Sequence, residues 1–149
     1  MKELWAIDPG THCGLAIFNA ENGQLIECEK IEYGPLIDRL DAIQTNQVTR
    51  FVVEEFISRG RVTQGSRNEA SQVIGAITLV ARRLGVAVVK QNPSDRLIGA
   101  KWTQVKVPKG HMPDDMSAYL HGSFYLIKNN IKPTALERSR NGNRSKPVL

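Results

Sequence analysis

The chain has 149 residues, room for one hydrophobic core and too few for two ordinary domains. At 41% hydrophobic and 23% charged it has the composition of a folded globular protein, which excludes an intrinsically disordered one. A net charge of +5 suits a polyanionic partner, and its distribution says more than its size: acidic residues crowd the first 55 positions, whereas Lys and Arg cluster at Arg59–Arg67, Lys101–Lys109 and Arg138–Lys146.

The first strand is predicted over Leu4–Ile7 and runs directly into Asp8. A Pro9-Gly10-Thr11 turn and a second apolar run, Gly14–Phe18, make the pair read as a hairpin. A carboxylate at the end of a buried strand is costly unless it is paired or binds a cation, although Asp before Pro-Gly also serves simply to cap a turn. After the turn signal Glu21-Asn22-Gly23, Gln24–Ile31 alternates as a third strand of an antiparallel meander. Gly34-Pro35 opens a helix whose apolar face is Leu36, Ile37, Leu40 and Ile43, ending near Gln44. Phe51-Val52-Val53 is a short buried strand that again ends in acid, at Glu54 and Glu55.

Ser58–Arg67 is a polar, basic, glycine-containing loop. A long helix is predicted from about Asn68 to Leu84, with Ala70, Val73, Ile74, Ile77, Val80, Ala81 and Leu84 in one stripe and Leu79 off it. So broad an apolar surface fits either a contact with a second copy or a helix sandwiched within one chain. Gly85 ends it, and Val86–Val89 reads as a fully apolar, mid-sheet strand. Asn92-Pro93-Ser94 caps a short helix to about Gly99, and a basic loop, Lys101–Gly110, holds Trp102. Pro113 opens the last helix, with Met116, Leu120, Phe124 and Ile127 inward. From Lys128 onward Asn, Pro, Arg and Ser dominate, so residues 1–128 are expected to form the domain and 129–149 a mobile basic tail. The predicted order β-β-β-α-β-α-β-α-α is an α/β protein: a mixed five-stranded sheet, three antiparallel strands followed by parallel ones, flanked by helices.

No apolar run approaches the ~20 residues of a membrane span, and Met1–Leu4 lacks signal-peptide architecture. Cys13 and Cys28 read as free buried thiols of a reducing compartment, without the close ligand pairs of a zinc site. The expected location is therefore cytoplasmic.

Three stations place acid or imidazole at the ends of elements: Asp8, Glu54 with Glu55, and His111-Met112-Pro113-Asp114-Asp115. If the first and fourth strands are neighbours, these carboxylates converge on one sheet edge. Such a cluster repels itself unless divalent cations neutralise it, which makes oxygen-rich Mg²⁺ or Mn²⁺ sites its natural completion. Two ions ~4 Å apart are suited to phosphodiester hydrolysis. Read singly, Asp114 and Asp115 also fit first-turn acids favoured by a helix dipole, His111 a surface loop histidine, and Glu54-Glu55 a solvated strand end. His12 and His121 read as structural or surface residues.

Ala6-Ile7-Asp8-Pro9-Gly10-Thr11 with Gly14, then Val52-Val53-Glu54, then the His/Asp-x-x-Asp helix, resembles the RuvC-type Holliday junction resolvases of the RNase H-like superfamily, over Leu4 to about Lys128. The resemblance implies an RNase H-like fold and a homodimeric, metal-dependent endonuclease acting on four-way junctions and other branched DNA. It assigns Asp8, Glu54 and Asp114 as metal-binding carboxylates and His111 as the fourth catalytic position. Asp8 would bridge two Mg²⁺ or Mn²⁺ ions, while Glu54 and Asp114 would each hold one. Asp114 is preferred to Asp115 by the register of the apolar residues after it, with Asp115 kept as an alternative ligand, and Glu54 to Glu55 because it directly follows the strand. Ser58–Arg67 takes a DNA-facing role and Asn68–Leu84 a dimer role. Arg59, Arg61, Arg67, Lys106 and Lys109 are then expected to contact backbone phosphates. The short chain and basic tail are closer to phage-encoded relatives, which implies a bacterial cell or a phage-infected host. Three competing readings are a non-catalytic branched-DNA binder, an RNase H-superfamily nuclease acting on RNA or DNA ends, and an actin-like kinase, for which 149 residues supply one of the two halves required.

Overall fold

The computed structural model describes residues 2–55, 64–138 and 144–147. Strands β1 (Glu3–Asp8), β2 (His12–Asn19) and β3 (Leu25–Glu32) form the expected antiparallel meander. Helix α1 (Tyr33–Asp41) leads to β4 (Val48–Glu54), which pairs parallel to β1. Helix α2 (Gln64–Leu84) leads to β5 (Ala87–Gln91), parallel to β4. Helices α3 (Asp95–Thr103) and α4 (Asp114–Lys128) complete the layer arrangement, and β6 (Leu136–Arg138) and β7 (Arg144–Pro147) follow. The sheet order is β5-β4-β1-β2-β3-β7-β6, so β1 and β4 are neighbours as the site requires.

Alternation along the central strands divides the core. Trp5 and Ile7 of β1, Leu15 and Ile17 of β2, and Phe51 and Val53 of β4 pack with α1 and α2 on one face. Leu4, Ala6, Ala16, Phe18 and Val52 pack with α4 and Ala100 of α3 on the other. Helix α4 is buried continuously from Asp115 to Phe124 and again at Leu126, a central element rather than a surface one. Two glycines permit its approach. A Cβ on Gly14 would lie 1.8 Å from the Asp114 carbonyl oxygen, and one on Gly122 would lie 2.4 Å from the Phe18 ring.

Several expectations are corrected. Strand β5 is the edge of the sheet rather than its middle: with a neighbour only at β4 among the described residues, it leaves Ala87 and Lys90 exposed. Helix α2 begins four residues early, so Gln64–Arg67 are helical rather than loop. Helix α3 continues through Lys101 and Trp102, because Trp102 stacks on Phe124 (centroids 5.2 Å, planes at 6°), and stops where Gln104 turns left-handed. Beyond α4, the described residues 131–138 and 144–147 make contacts with the rest of the domain. The Thr134 N–H donates to the Gly23 carbonyl (3.0 Å), the Tyr119 hydroxyl donates to the Thr134 carbonyl (2.7 Å), and β6–β7 extend the five-stranded sheet beyond β3.

Candidate active site at the strand ends

Pairing register brings the first two acidic stations together. In the parallel ladder Ile7 faces Val53, so Asp8 and Glu54 occupy the next positions of adjacent strands, about 4.8 Å apart in the hydrogen-bonding direction. Asp8 shares the parity of Leu4 and Ala6, and Glu54 that of Val52; both therefore point to the α4 face. Glu55 has the opposite parity and lies exposed beyond the strand, its N–H donating to the Gln91 carbonyl (2.7 Å). The third station arrives through Gly14, which pairs with Asp8 across the hairpin and supports the first residue of α4, Asp114. The missing side chain at Gly14 is what lets the helix N-terminus close on the strand ends.

Asp8 and Glu54 hydrogen-bond through their side chains, and Ser117 lies beside Asp8. Burial first, then the Glu54 charge and the bond to it, push the Asp8 carboxyl up from 3.8 to about 8, with Asp114 adding further repulsion. Burial acts on Glu54 too, but the close approach of His121 and Asp8 and the charges of His121 and Arg96 outweigh it and hold Glu54 below the ordinary carboxylate value. Burial raises Asp114 against the opposing pull of His111, Lys30 and His12. The pair thus divides its roles: Asp8 carries a proton at neutral pH and Glu54 carries the charge.

The donors are hard carboxylate oxygens on three elements, the set that Mg²⁺ and Mn²⁺ favour. Asp8, Glu54 and Asp114 are the residues that could hold such an ion. Among the described residues no three His, Cys, Asp or Glu side chains stand in coordinating geometry, and Asp8 and Glu54 are turned toward each other, with a proton where a cation would serve the same electrostatic need.

His111 is exposed in the turn before α4, close enough to act on Asp114 by charge. Asp115 follows Asp114 in the first turn but is 0% exposed, and the Cys28 thiol donates to its carbonyl (3.3 Å); it lies toward β3, about 100° round the helix from Asp114. Lys106 and Lys109 are exposed in the α3–α4 loop. Arg59 and Arg61 lie outside the described residues, as does the side chain of Arg67 in the first turn of α2.

Four neighbours of Glu54 were not singled out as site residues by sequence. Arg96 Nη1 lies 3.5 Å from both its oxygens, Ser117 Oγ 3.3 Å from Oε2, and His121 Nε2 3.3 Å from Oε2, while Gln91 contacts His121 Nδ1 (2.7 Å). A signal was present: Ser117, Ala118 and His121 fall three, four and seven residues after Asp114, on one helical face.

Comparison with solved structures adds the fold's relatives. RuvC of Thermus thermophilus in complex with a Holliday junction substrate superposes with a TM-score of 0.60 at 19% identity, covering 89% of this chain and 99% of that one. The fold is RuvC-like. A second Thermus thermophilus RuvC structure gives 0.58 at 21% identity, covering 88% and 99%. The yeast mitochondrial Holliday junction resolvase Ydc2 gives 0.56 at 8% identity, covering 83% and 77%. No protein-family model and no curated protein sequence matches the chain. The mixed five-stranded sheet with flanking helices is thus the RuvC, RNase H-like arrangement, with two further strands at the β3 edge.

Proposed function

We propose that the chain is a divalent-metal-dependent endonuclease that resolves four-way DNA junctions and acts on other branched DNA, working as a homodimer. The observation that carries this reading is the Asp8–Glu54 carboxylate pair at adjacent strand ends, with Asp114 brought alongside through Gly14, on a RuvC-like fold. Self-repulsion at such a cluster serves no structural purpose and is relieved by cations. Bound there, two such ions supply activation of the attacking water and neutralise charge at the scissile phosphate.

The protein's own groups do the rest. Asp8 and Glu54 offer oxygens from a rigid sheet edge, and Asp114 does so from the first turn of a fully packed helix. His111, exposed at the mouth, is suited to orient the phosphate or complete the ligand set. Lys106 and Lys109 neutralise neighbouring phosphates, so affinity derives from backbone charge and selectivity from junction shape. The outward face of α2 supports pairing of two copies: Leu79 is 70% exposed, and Ser71, Gln72 and Gly75 beside it are also exposed.

The test compares wild type and Asp8→Asn on a four-way junction, a three-way junction, a flap and an RNA–DNA hybrid, in Mg²⁺, Mn²⁺ and EDTA. Wild type is expected to cut the branched DNAs in either metal and not in EDTA. Asp8→Asn should bind the junction as wild type does and lose ~10²–10³-fold or more in cleavage rate. Equal cleavage by the two proteins overturns the assignment. Junction binding without cleavage under any condition would leave a branched-DNA binder in its place.

A further inference from the structure

Glu54 terminates a strand on a side chain with three rotatable bonds, and a metal ligand must be held in one rotamer to keep its affinity. The residue best placed to hold it is His121. It lies on α4 two turns after Asp114, its side chain is 0% exposed, and so it cannot reach DNA or the scissile phosphate directly. One ring nitrogen, Nδ1, contacts Gln91 Oε1 at 2.7 Å, and the other, Nε2, lies 3.3 Å from Glu54 Oε2, within ion-pair reach, and has no hydrogen-bond partner among the described residues. Gln91 is itself fixed: it is the last residue of β5, cross-strand partner of Glu54, and 5% exposed. The imidazole therefore spans two adjacent strand ends from below, anchored at one end by Gln91 and aimed at Glu54 with the other. A neutral side chain of the same size would fill the space equally well, so packing gives no reason for a buried imidazole here.

Resting on the nuclease reading above, we infer that His121, oriented by Gln91, is a positioning residue that locks the Glu54 carboxylate in its metal-binding rotamer. Ser117 Oγ, at 3.3 Å, and the part-exposed Arg96 Nη1, at 3.5 Å, approach the same carboxylate from the α4 and α3 sides, so His121 acts alongside them. Removing the imidazole frees Glu54 to rotate while leaving Asp8 and Asp114 in position. The consequence is weaker metal binding, with no change in how the protein holds DNA.

The test measures Mn²⁺ binding directly, by titration calorimetry and by the electron paramagnetic resonance of free Mn²⁺, on wild type, Asp8→Asn, His121→Leu, His121→Gln and Gln91→Leu, with thermal unfolding recorded for each. Tyr119→Phe is the control: it removes a buried hydroxyl bond from the same helix, to the Thr134 carbonyl, away from Glu54. His121→Leu is expected to weaken Mn²⁺ binding ~10–100-fold. Gln91→Leu should follow it part of the way, and His121→Gln, which keeps a donor near Glu54, should recover much of the loss. Junction binding in EDTA is expected to match wild type throughout. The inference is overturned if His121→Leu binds Mn²⁺ as wild type does, or if Tyr119→Phe, at a matched loss of thermal stability, weakens it equally. If wild type and Asp8→Asn bind Mn²⁺ alike, the nuclease reading fails first and takes this inference with it.

Discussion

Asp8 holds its proton because burial and the neighbouring Glu54 charge both penalise its carboxylate, so its pKa lies at about 8 against an ordinary 3.8. A raised folded-state pKa means that the fold binds this proton more tightly than the unfolded chain does. The contribution is fully present below about pH 4 and is lost as pH rises through about 8. Glu54, held low, works in the opposite sense: its contribution is present above its ordinary value of 4.5 and is lost on acidification. Between about pH 5 and 8 Asp8 therefore decides the slope. Metal-free wild type is expected to lose stability across that interval, and Asp8→Asn, which keeps a donor toward Glu54, to show a flatter profile. At pH 8 the variant should melt a few degrees above wild type, at roughly 2–4 °C per kcal/mol for a chain of this size. Thermal unfolding of both proteins in EDTA from pH 5 to 8 checks this, and parallel profiles would contradict it. If the pair holds a metal as proposed, the same variant is expected to be both more stable and inactive.

At the scale of elements the site depends on how α4 meets the sheet. Gly14 faces the Asp114 carbonyl where a Cβ would stand 1.8 Å away, a contact with backbone that no rotamer change relieves. Gly14→Ala is thus expected to lower stability by about 1–3 kcal/mol and to displace Asp114 from Asp8, reducing cleavage by more than the loss of folded protein explains. Denaturant unfolding and a specific-activity measurement on the same sample read both effects. Gly14 stood in the sequence as an ordinary residue of a strand; its meaning came from the pairing with Asp8, which the hairpin alone did not reveal. The period-2 and period-3.6 patterns did identify β1–β4 and the cores of α1, α2 and α4, because each buries a face that must alternate or recur. They misplaced β5, since four apolar residues read alike at a sheet's centre and at its edge. They did not bring out His121, Arg96 or Gln91, because His121 and Arg96 meet Glu54, and the Gln91 side chain meets His121, only through tertiary packing.

Across the whole molecule, the net charge of +5 favours a polyanionic partner. If Lys106 and Lys109 each neutralise one phosphate, each Ala substitution should make the slope of log affinity against log salt shallower by about 0.9. Junction-binding isotherms between low and physiological salt measure it; an unchanged slope would remove that residue from the DNA contact. Beyond α4, the Thr134 N–H reaches the Gly23 carbonyl in the β2–β3 turn, and the Thr134 carbonyl receives the Tyr119 hydroxyl. Polar, proline-containing sequence is compatible with order when a preformed edge and a buried hydroxyl receive it, which local composition does not disclose.

The meeting of Asp8, Glu54 and Asp114 around divalent cations is tested most directly by a crystal grown in Mn²⁺ and measured at the manganese absorption edge. Anomalous density is expected between the Asp8 and Glu54 carboxylates, with Asp114 contributing to the same cluster and the Asp8–Glu54 hydrogen bond broken. Density elsewhere on the surface, with that hydrogen bond intact, would contradict it.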